Sequence, residues 1–221
     1  MNVLVIDGSR RAKSNTGAIA RDLQAQLHRA GQTADLWRVP KWSAGPDATA
    51  EALQRLAVAD AAVLVAPIYL DQMPAVTQRL LEDVWERRAE LDGHAPLFYG
   101  IAHSGFPEPI QRRAELLSMR LFAAQMGWIW MGGIGFGGTS PIDGRPLDEA
   151  GMFSRQLRKV LPRAVEDIAR ARPFSAKTIA GSDKSPFPLP LTAMIALVNL
   201  RTRKAARDRQ LRLDARVYAP D

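Results

Sequence analysis

The sequence of 221 residues predicts a doubly wound α/β fold, in which helices cover both faces of a five-stranded parallel sheet. Short, continuous apolar runs at 3–6, 61–66 and 97–102 are typical of strands that are buried on both faces. Each run is followed by apolar residues at helical spacing. A helical crossover returns the chain in the same direction, so this alternation favours a parallel sheet.

Proline residues set several of the boundaries. Pro40 and Pro67 each end a strand, since proline cannot donate to the ladder, and Pro74 opens a helix. After the first strand we expect a helix that ends at Gly31, a strand at 33–39, a loop at 41–47, a helix at 50–59, a strand at 61–66 and a helix at 74–85. A strand at 97–102 follows, and then a helix that ends near Gly127 and contains Ile110, Leu116, Leu117, Leu121 and Phe122. The last predicted elements are a strand at 128–134 and a long helix at 147–172 that Pro162 can interrupt.

Composition excludes several kinds of chemistry. The chain has no cysteine, so disulfides, thiolate nucleophiles and cysteine-ligated metals are absent. Its three histidines have no paired spacing, and we expect no metal site. No apolar run of 18 residues occurs, and the N-terminus lacks the order of a signal peptide. We therefore expect a cytoplasmic protein without a membrane span.

The C-terminal part differs from the rest of the chain. We expect a domain at 1–172, then a Pro- and Ser-rich linker at 173–190 and a tail to residue 221. The tail has an apolar stretch at 189–200 and a segment at 201–216 with seven basic and two acidic residues, within a chain of net charge +7. Such a tail favours packing on the domain or on a second subunit. Binding of nucleic acid or anionic lipid is the less favoured alternative.

The stretch GSRRAKSNT at 8–16 lies where the first strand ends and a helix begins. Backbone amides in the first turn of a helix carry partial positive charge and stabilise an anion there, which predicts a phosphate ligand. The alternative is a capped helix with solvated basic residues. Side chains that can donate to the phosphate or supply charge are those of Ser9, Arg10, Lys13, Ser14, Asn15 and Thr16.

Two more loops follow strands and meet at the same edge of the sheet. The loop PIYLDQMP at 67–74 offers apolar faces and backbone amides to a planar ring, or it is a turn whose aromatic residue packs on the sheet. The loop AHSGFPE at 102–108 brings Ser104 and Gly105 toward a ligand, while a lone His103 is more often structural than catalytic. The glycine-rich stretch at 132–146 is either a lid or only the exit from the last strand.

GSRRAKSNT resembles the GSPR-x-x-SNT phosphate loop of the flavodoxin-like NAD(P)H-dependent FMN reductases and quinone reductases. PIYLDQMPAVTQRLLEDVWE is similar to their P-x-Y loop and the helix after it, and HSGFPEP and GGIGFGGTSPIDGRPL resemble one subgroup. This resemblance implies the sheet order 2-1-3-4-5 and often a homodimer. It also implies that FMN is held by Ser9, Arg10, Ser14, Asn15, Thr16, Pro67, Ile68, Tyr69, Leu70, Ser104 and Gly105.

The implied function is that of an FMN-dependent oxidoreductase that takes hydride from NADPH or NADH and reduces a small organic acceptor such as a quinone, a nitro or azo compound, or free flavin. His103 is the candidate proton donor to that acceptor. Two alternatives stay open. One is an electron carrier of the flavodoxin type, and the other is a non-enzymatic scaffold whose basic tail binds nucleic acid or anionic lipid.

Overall fold

A computed structural model of the chain describes residues 1–40, 46–184 and 191–211. One five-stranded sheet has the order β2-β1-β3-β4-β5, which confirms the predicted fold class. The strands are β1 (Asn2–Asp7), β2 (Thr33–Arg38), β3 (Ala61–Pro67), β4 (Leu97–His103) and β5 (Trp130–Phe136), and the helices are α1 (Asn15–Arg29), α2 (Pro46–Leu56), α3 (Ala75–Glu86), α4 (Ile110–Gln125), α5 (Arg155–Ala169), α6 (Ala176–Ser182) and α7 (Leu191–Asp208).

All four pairs of neighbouring strands are parallel, and their side chains form a core on each face of the sheet. One core packs α1 and α5 against the sheet, with Leu23 and Ile168 fully buried. The other packs α2, α3 and α4 against the opposite face and includes Leu64 and Met119. Because both faces are covered, the central strand β3 is apolar along its whole length and buried at every position.

Helix α2 and strand β5 each begin two or more residues away from their predicted starts. Helix α2 starts at Pro46, because proline suits the first turn of a helix; residues 41–45 of the predicted loop lie outside the described part of the chain. Strand β5 spans Trp130–Phe136 rather than 128–134. Trp128 lies before the strand because its ring packs against Phe98 and Phe122, with centroid distances of 5.6 and 5.5 Å.

The long helix predicted at 147–172 is shorter in the structure. Residues 151–154 form a 3₁₀ turn, and α5 spans only Arg155–Ala169. Pro162 lies inside α5 without ending it. It is exposed, so water can bond the carbonyl group that the missing amide leaves free.

The stretch predicted as a linker contains helix α6. Ser175 caps this helix by accepting a hydrogen bond from the Thr178 amide, and Ser182 Oγ accepts one from the Gly135 amide of β5 at 3.3 Å. The chain divides into two compact units, residues 1–186 and 187–221. In the second unit α7 exposes Ile195, Val198 and Leu200. Across the described ranges, no helix is both long and apolar enough to cross a bilayer.

Helix α4 buries two charged residues among its apolar ones. Of its predicted apolar residues, Leu116 and Phe122 pack against the core, whereas Leu117 and Leu121 are 52% and 54% exposed. Arg112 and Glu115 are 2% and 0% exposed. The strands beneath α4 carry glycines at positions that face the helix. A Cβ atom at Gly135 would lie 2.7 Å from Arg112 Nε, so the absence of a side chain there leaves room for the arginine.

Candidate functional site

The loops after β1, β3, β4 and β5 surround a cleft of about 250 Å³ at the carboxyl edge of the sheet, where doubly wound folds bind ligands. Eight of the predicted site residues line this cleft: Ser14, Asn15, Thr16, Pro67, Ile68, Tyr69, His103 and Gly105. The other four, Ser9, Arg10, Leu70 and Ser104, do not. The lining also includes Arg11 and Lys13, and four residues after β5: Thr139, Ser140, Asp143 and Gly144.

The two serines of the first loop direct their hydroxyl protons into the protein. Ser9 is buried, and its Oγ donates to Asp7 Oδ1 at 2.7 Å, while Arg38 Nε pairs with Asp7 Oδ2 at 2.9 Å. Ser14 Oγ lies 2.8 Å from Ser9 Oγ and accepts from the Gly17 amide at 2.9 Å. Because the proton of Ser9 goes to the carboxylate, Ser14 donates to Ser9. Neither hydroxyl is left as a donor to a ligand.

Backbone amides are the free donors at this end of the cleft. Ser14 is the N-cap of α1, so Asn15 and Thr16 occupy its first turn. Their amide groups have no acceptor among the described residues. Lys13 and Arg11 add two positive charges on the cleft lining. This end of the cleft therefore suits an anion, through the main chain and the two basic side chains.

Asn15 ties the loop after β5 to the start of α1. Its Nδ2 donates to the Thr139 carbonyl at 2.8 Å, and its Oδ1 accepts from the Gly144 amide at 2.7 Å. Gly144 has a φ of +66°, and a Cβ atom there would lie 2.8 Å from Lys13 Cγ and 3.1 Å from the Ser14 nitrogen. The glycine-rich stretch is therefore part of the cleft wall. Neither Thr139 nor Gly144 is among the site residues predicted from the sequence, although the stretch 132–146 is a candidate lid there and its cluster of glycines is a signal for close approach.

The loop after β3 makes a tight turn beside the cleft. Tyr69 and Gln72 exchange two backbone hydrogen bonds of 2.7 and 3.2 Å, and the two residues between them have left-handed backbones, with φ of 51° at Leu70 and 65° at Asp71. This turn leaves Tyr69 half-exposed on the cleft lining and Leu70 fully exposed to solvent. Left-handed backbone in a leucine costs about 1–2 kcal/mol, and such strain often accompanies functional loops.

His103 lies at the end of β4 and joins two threonines. Its Nε2 is 2.8 Å from Thr16 Oγ1, and its Nδ1 is 3.1 Å from Thr139 Oγ1. The residue is 5% exposed, and burial lowers the pKa of its imidazole to about 4. The side chain is therefore neutral at pH 7, with both nitrogens in contact with protein hydroxyls. These contacts favour a positioning role over the predicted role of proton donor.

Ser104 and Gly105 connect the loops after β4 and β5. The Ser104 amide donates to the Phe136 carbonyl, and its own carbonyl accepts from the Thr139 amide, at 2.9 and 3.0 Å. A Cβ atom at Gly105 would lie 2.5 Å from Ser140 Oγ, so glycine allows this close approach without displacing that hydroxyl. Ser104 therefore supports the cleft from behind, and Gly105 lines it.

No group of three or more histidine, cysteine, aspartate or glutamate residues within the described ranges could hold a metal ion. A buried polar pair lies instead beneath α4, outside the cleft lining. Both carboxyl oxygens of Glu115 and two guanidinium nitrogens of Arg112 are buried without a hydrogen-bond partner. Burial raises the pKa of Glu115 to about 9 and lowers that of Arg112.

Comparisons with known proteins agree with this architecture. A family model described as a flavodoxin-like fold matches residues 1–96. No curated protein matches the chain in sequence. The solved NAD(P)H:quinone oxidoreductase from Methanothermobacter marburgensis is similar, with 16% identity and a TM-score of 0.58, over 76% of this chain and 96% of that chain.

Two further solved structures have the same fold. The FMN-dependent NADH-azoreductase from Bacillus anthracis, in complex with FMN, has 12% identity and a TM-score of 0.54 over 76% of this chain and 100% of that chain. RosB with bound 8-demethyl-8-formylriboflavin-5'-phosphate has 14% identity and a TM-score of 0.58 over 100% and 93% of the two chains. Sheet order, family model and structural matches together confirm the fold that the resemblance implied. The chain is therefore a protein of flavodoxin-like fold.

Proposed function

We propose that the protein is an FMN-dependent oxidoreductase that takes hydride from NADPH or NADH and reduces a small organic acceptor, such as a quinone, a nitro or azo compound, or free flavin. The observation that carries the proposal is the pair of unbonded amides at Asn15 and Thr16, beside Lys13, at one end of the cleft. Proteins of the same fold that are named as quinone oxidoreductase and FMN-dependent azoreductase support it.

The residues at the cleft fit the parts of FMN. The amides of Asn15 and Thr16, with Lys13 and Arg11, would hold the phosphate. The stretch 67–69 offers apolar surface to the ring from one side, since Tyr69 is half-exposed there, and Gly105 lets the main chain approach from another. The serine hydroxyls of the first loop would support that loop rather than contact the phosphate, because their protons are already used within the protein.

When bound, FMN would accept hydride and pass electrons to the acceptor. The chain's own part is to bind, orient and shield. Asn15 holds the loop with Thr139 and Gly144 against the start of α1, which fixes this wall of the cleft. Both ring nitrogens of His103 already contact threonine hydroxyls, so the proton for a reduced acceptor would come from solvent or from the acceptor's own surroundings.

Both NADPH and NADH stay candidates as the donor. A homodimer is supported by the apolar side chains that α7 exposes, and the cytoplasm stays the predicted location. An electron carrier of the flavodoxin type would bind FMN equally well. Sustained oxidation of NADPH or NADH with a quinone distinguishes the enzyme from the carrier.

The experiment compares FMN with riboflavin, which lacks the phosphate. Two amide donors and nearby positive charge, at about 1.5–3 kcal/mol per charge-assisted hydrogen bond, predict that FMN binds at least about a hundredfold more tightly. Quenching of flavin fluorescence measures both dissociation constants. Lys13→Met should weaken FMN binding about tenfold and leave riboflavin binding unchanged. Lys159→Met, on the exposed side of α5, is the matched control and should change neither.

Equal affinity for FMN and riboflavin would show that no phosphate site exists at α1. A protein that binds neither flavin, and that binds nucleic acid with steep salt dependence, would instead favour the scaffold alternative. Tight FMN binding without turnover of a pyridine nucleotide would leave the electron carrier as the function.

A further inference from the structure

His103 and two threonines form a chain of side-chain contacts that reaches the proposed phosphate site. Thr16 Oγ1 lies on one side of the imidazole and Thr139 Oγ1 on the other, at 2.8 and 3.1 Å. Thr139 Oγ1 is also 3.0 Å from the Ser104 carbonyl oxygen. Each hydroxyl carries one proton, and a neutral imidazole carries one proton and one lone pair. Three protons are therefore distributed over three side chains.

Without a ligand, hydrogen-bond counting favours the proton on Nδ1. The imidazole then donates to Thr139 Oγ1, Thr139 donates to the Ser104 carbonyl, and Thr16 donates to Nε2, which makes three hydrogen bonds. With the proton on Nε2, the imidazole donates to Thr16 and Thr139 donates to Nδ1. That arrangement makes two hydrogen bonds, and the Thr16 hydroxyl proton then has no acceptor among the described residues.

An anion at the start of α1 reverses this preference. Thr16 is the second residue of the helix and lines the cleft, so its hydroxyl lies near its own free amide. In the Nδ1–H arrangement the hydroxyl proton points at His103, so the oxygen lone pairs would face the anion. In the Nε2–H arrangement the same hydroxyl is free to donate to the anion, and charge-assisted hydrogen bonds are roughly twice as strong as neutral ones.

We propose that His103 is a positioning residue that changes tautomer, from Nδ1–H to Nε2–H, when an anion binds at the N-terminus of α1, and so turns the Thr16 hydroxyl into a donor to that anion. The inference rests on the proposed function, because it needs the phosphate site. The three side chains carry three protons before and after the change, so no proton is gained or lost. The Ser104 carbonyl keeps the hydrogen bond from the Thr139 amide in both states.

The chain contains two internal references for a spectroscopic test. Nε2 of His28 lies 2.9 Å from the Ala34 carbonyl oxygen, and Nε2 of His94 lies 2.8 Å from that of Ala59. A carbonyl oxygen only accepts, so Nε2 carries the proton in both residues. Long-range proton–nitrogen correlation spectra of the ¹⁵N-labelled, flavin-free full-length protein at about pH 8 separate the two tautomers, and His103→Gln assigns the His103 signals.

Inorganic phosphate is the probe, and the backbone amide signals of Asn15 and Thr16 report its binding. We expect His103 to differ from the two reference histidines in free protein and to match them once phosphate is bound. Phosphate that shifts both amides while His103 keeps one tautomer would overturn this inference and leave the proposed function intact. If neither amide responds, the phosphate site of the proposed function is overturned, and the inference with it.

Two isosteric variants test the role of each threonine. Thr16→Val should still show phosphate-induced shifts at the Asn15 amide, with affinity about tenfold lower and no change of tautomer at His103. Thr139→Val should hold His103 in the Nε2–H form even without phosphate, because an unpaired buried N–H costs more than an unpaired lone pair. A change of tautomer in Thr16→Val like that of the native protein would also overturn the inference.

Discussion

The buried carboxyl group of Glu115 is expected to make the stability of the protein depend on pH. Glu115 is fully buried on the face of α4 that packs against the sheet, and neither of its oxygens has a hydrogen-bond partner. Burial raises its pKa from an ordinary value of 4.5 to about 9. In the folded protein the group is therefore protonated at pH 7, whereas in the unfolded chain it is ionised.

The sign and size of the effect follow from this difference. Below pH 4.5 both states are protonated, and Glu115 has no effect on the pH dependence. As the pH rises from 4.5 toward 9, only the unfolded chain releases the proton, so the free energy of unfolding falls by about 1.4 kcal/mol per pH unit. Over the roughly 2.5 pH units up to pH 7, the loss is about 3 kcal/mol. Glu115→Gln, which cannot ionise, should lack this loss.

Urea denaturation of both proteins between about pH 5 and pH 8 measures the effect. The free energy of unfolding of Glu115→Gln minus that of the native protein should grow by about 1.4 kcal/mol for each pH unit. The change with pH is decisive, because glutamine leaves its own buried amide unpaired. Glu86→Gln makes the same chemical change at an exposed position of α3 and is the matched control. Parallel curves for Glu115→Gln and the native protein would refute the protonated carboxyl.

Three further substitutions test local geometry. Gly144→Ala should lower the free energy of unfolding by about 2 kcal/mol and weaken FMN binding, because its Cβ would meet Lys13. The control is Gly93→Ala, with a φ of +76° but open space around it, which should lower the free energy of unfolding by only about 1 kcal/mol and leave FMN binding unchanged. Equal effects of the two substitutions would contradict this reasoning. Leu70→Asn should raise the melting temperature by about 2–4 °C, since asparagine tolerates the left-handed backbone at this exposed position; a lower melting temperature would mean that the leucine has a packing role. Gly135→Ala should cost about 1–3 kcal/mol in urea denaturation because its Cβ would meet Arg112, and a neutral result would show that α4 can move away.

The sheet was predictable because its central strands are uninterrupted apolar runs. Parallel strands buried on both faces have no polar alternation. Pro67 and Pro74 mark the two ends of the loop after β3. The first loop was predictable for a related reason: a strand that runs directly into capping residues places them at the edge where ligands bind. The position of the cleft follows from those two features.

The burial of two charged residues on α4 was not predictable from its own sequence. Helical spacing places Arg112 and Glu115 on the same face as Leu116 and Met119, but such charged residues are rarely buried in a core. Room for the arginine depends on the glycines of β5, which lie later in the chain. The contacts of the serine hydroxyls in the first loop were not predictable for a similar reason. Asp7, which accepts from Ser9, is in sequence only a polar residue at the end of a strand, and its partner Arg38 lies on another strand.

The side chain of Asn15 connects two parts of the chain that are far apart in sequence. Its partners lie 124 and 129 residues further along the chain, so one side chain joins the start of α1 to the loop after β5. A molecule that occupies the cleft should therefore slow exchange of the Gly144 amide hydrogen with solvent, even where it touches only α1.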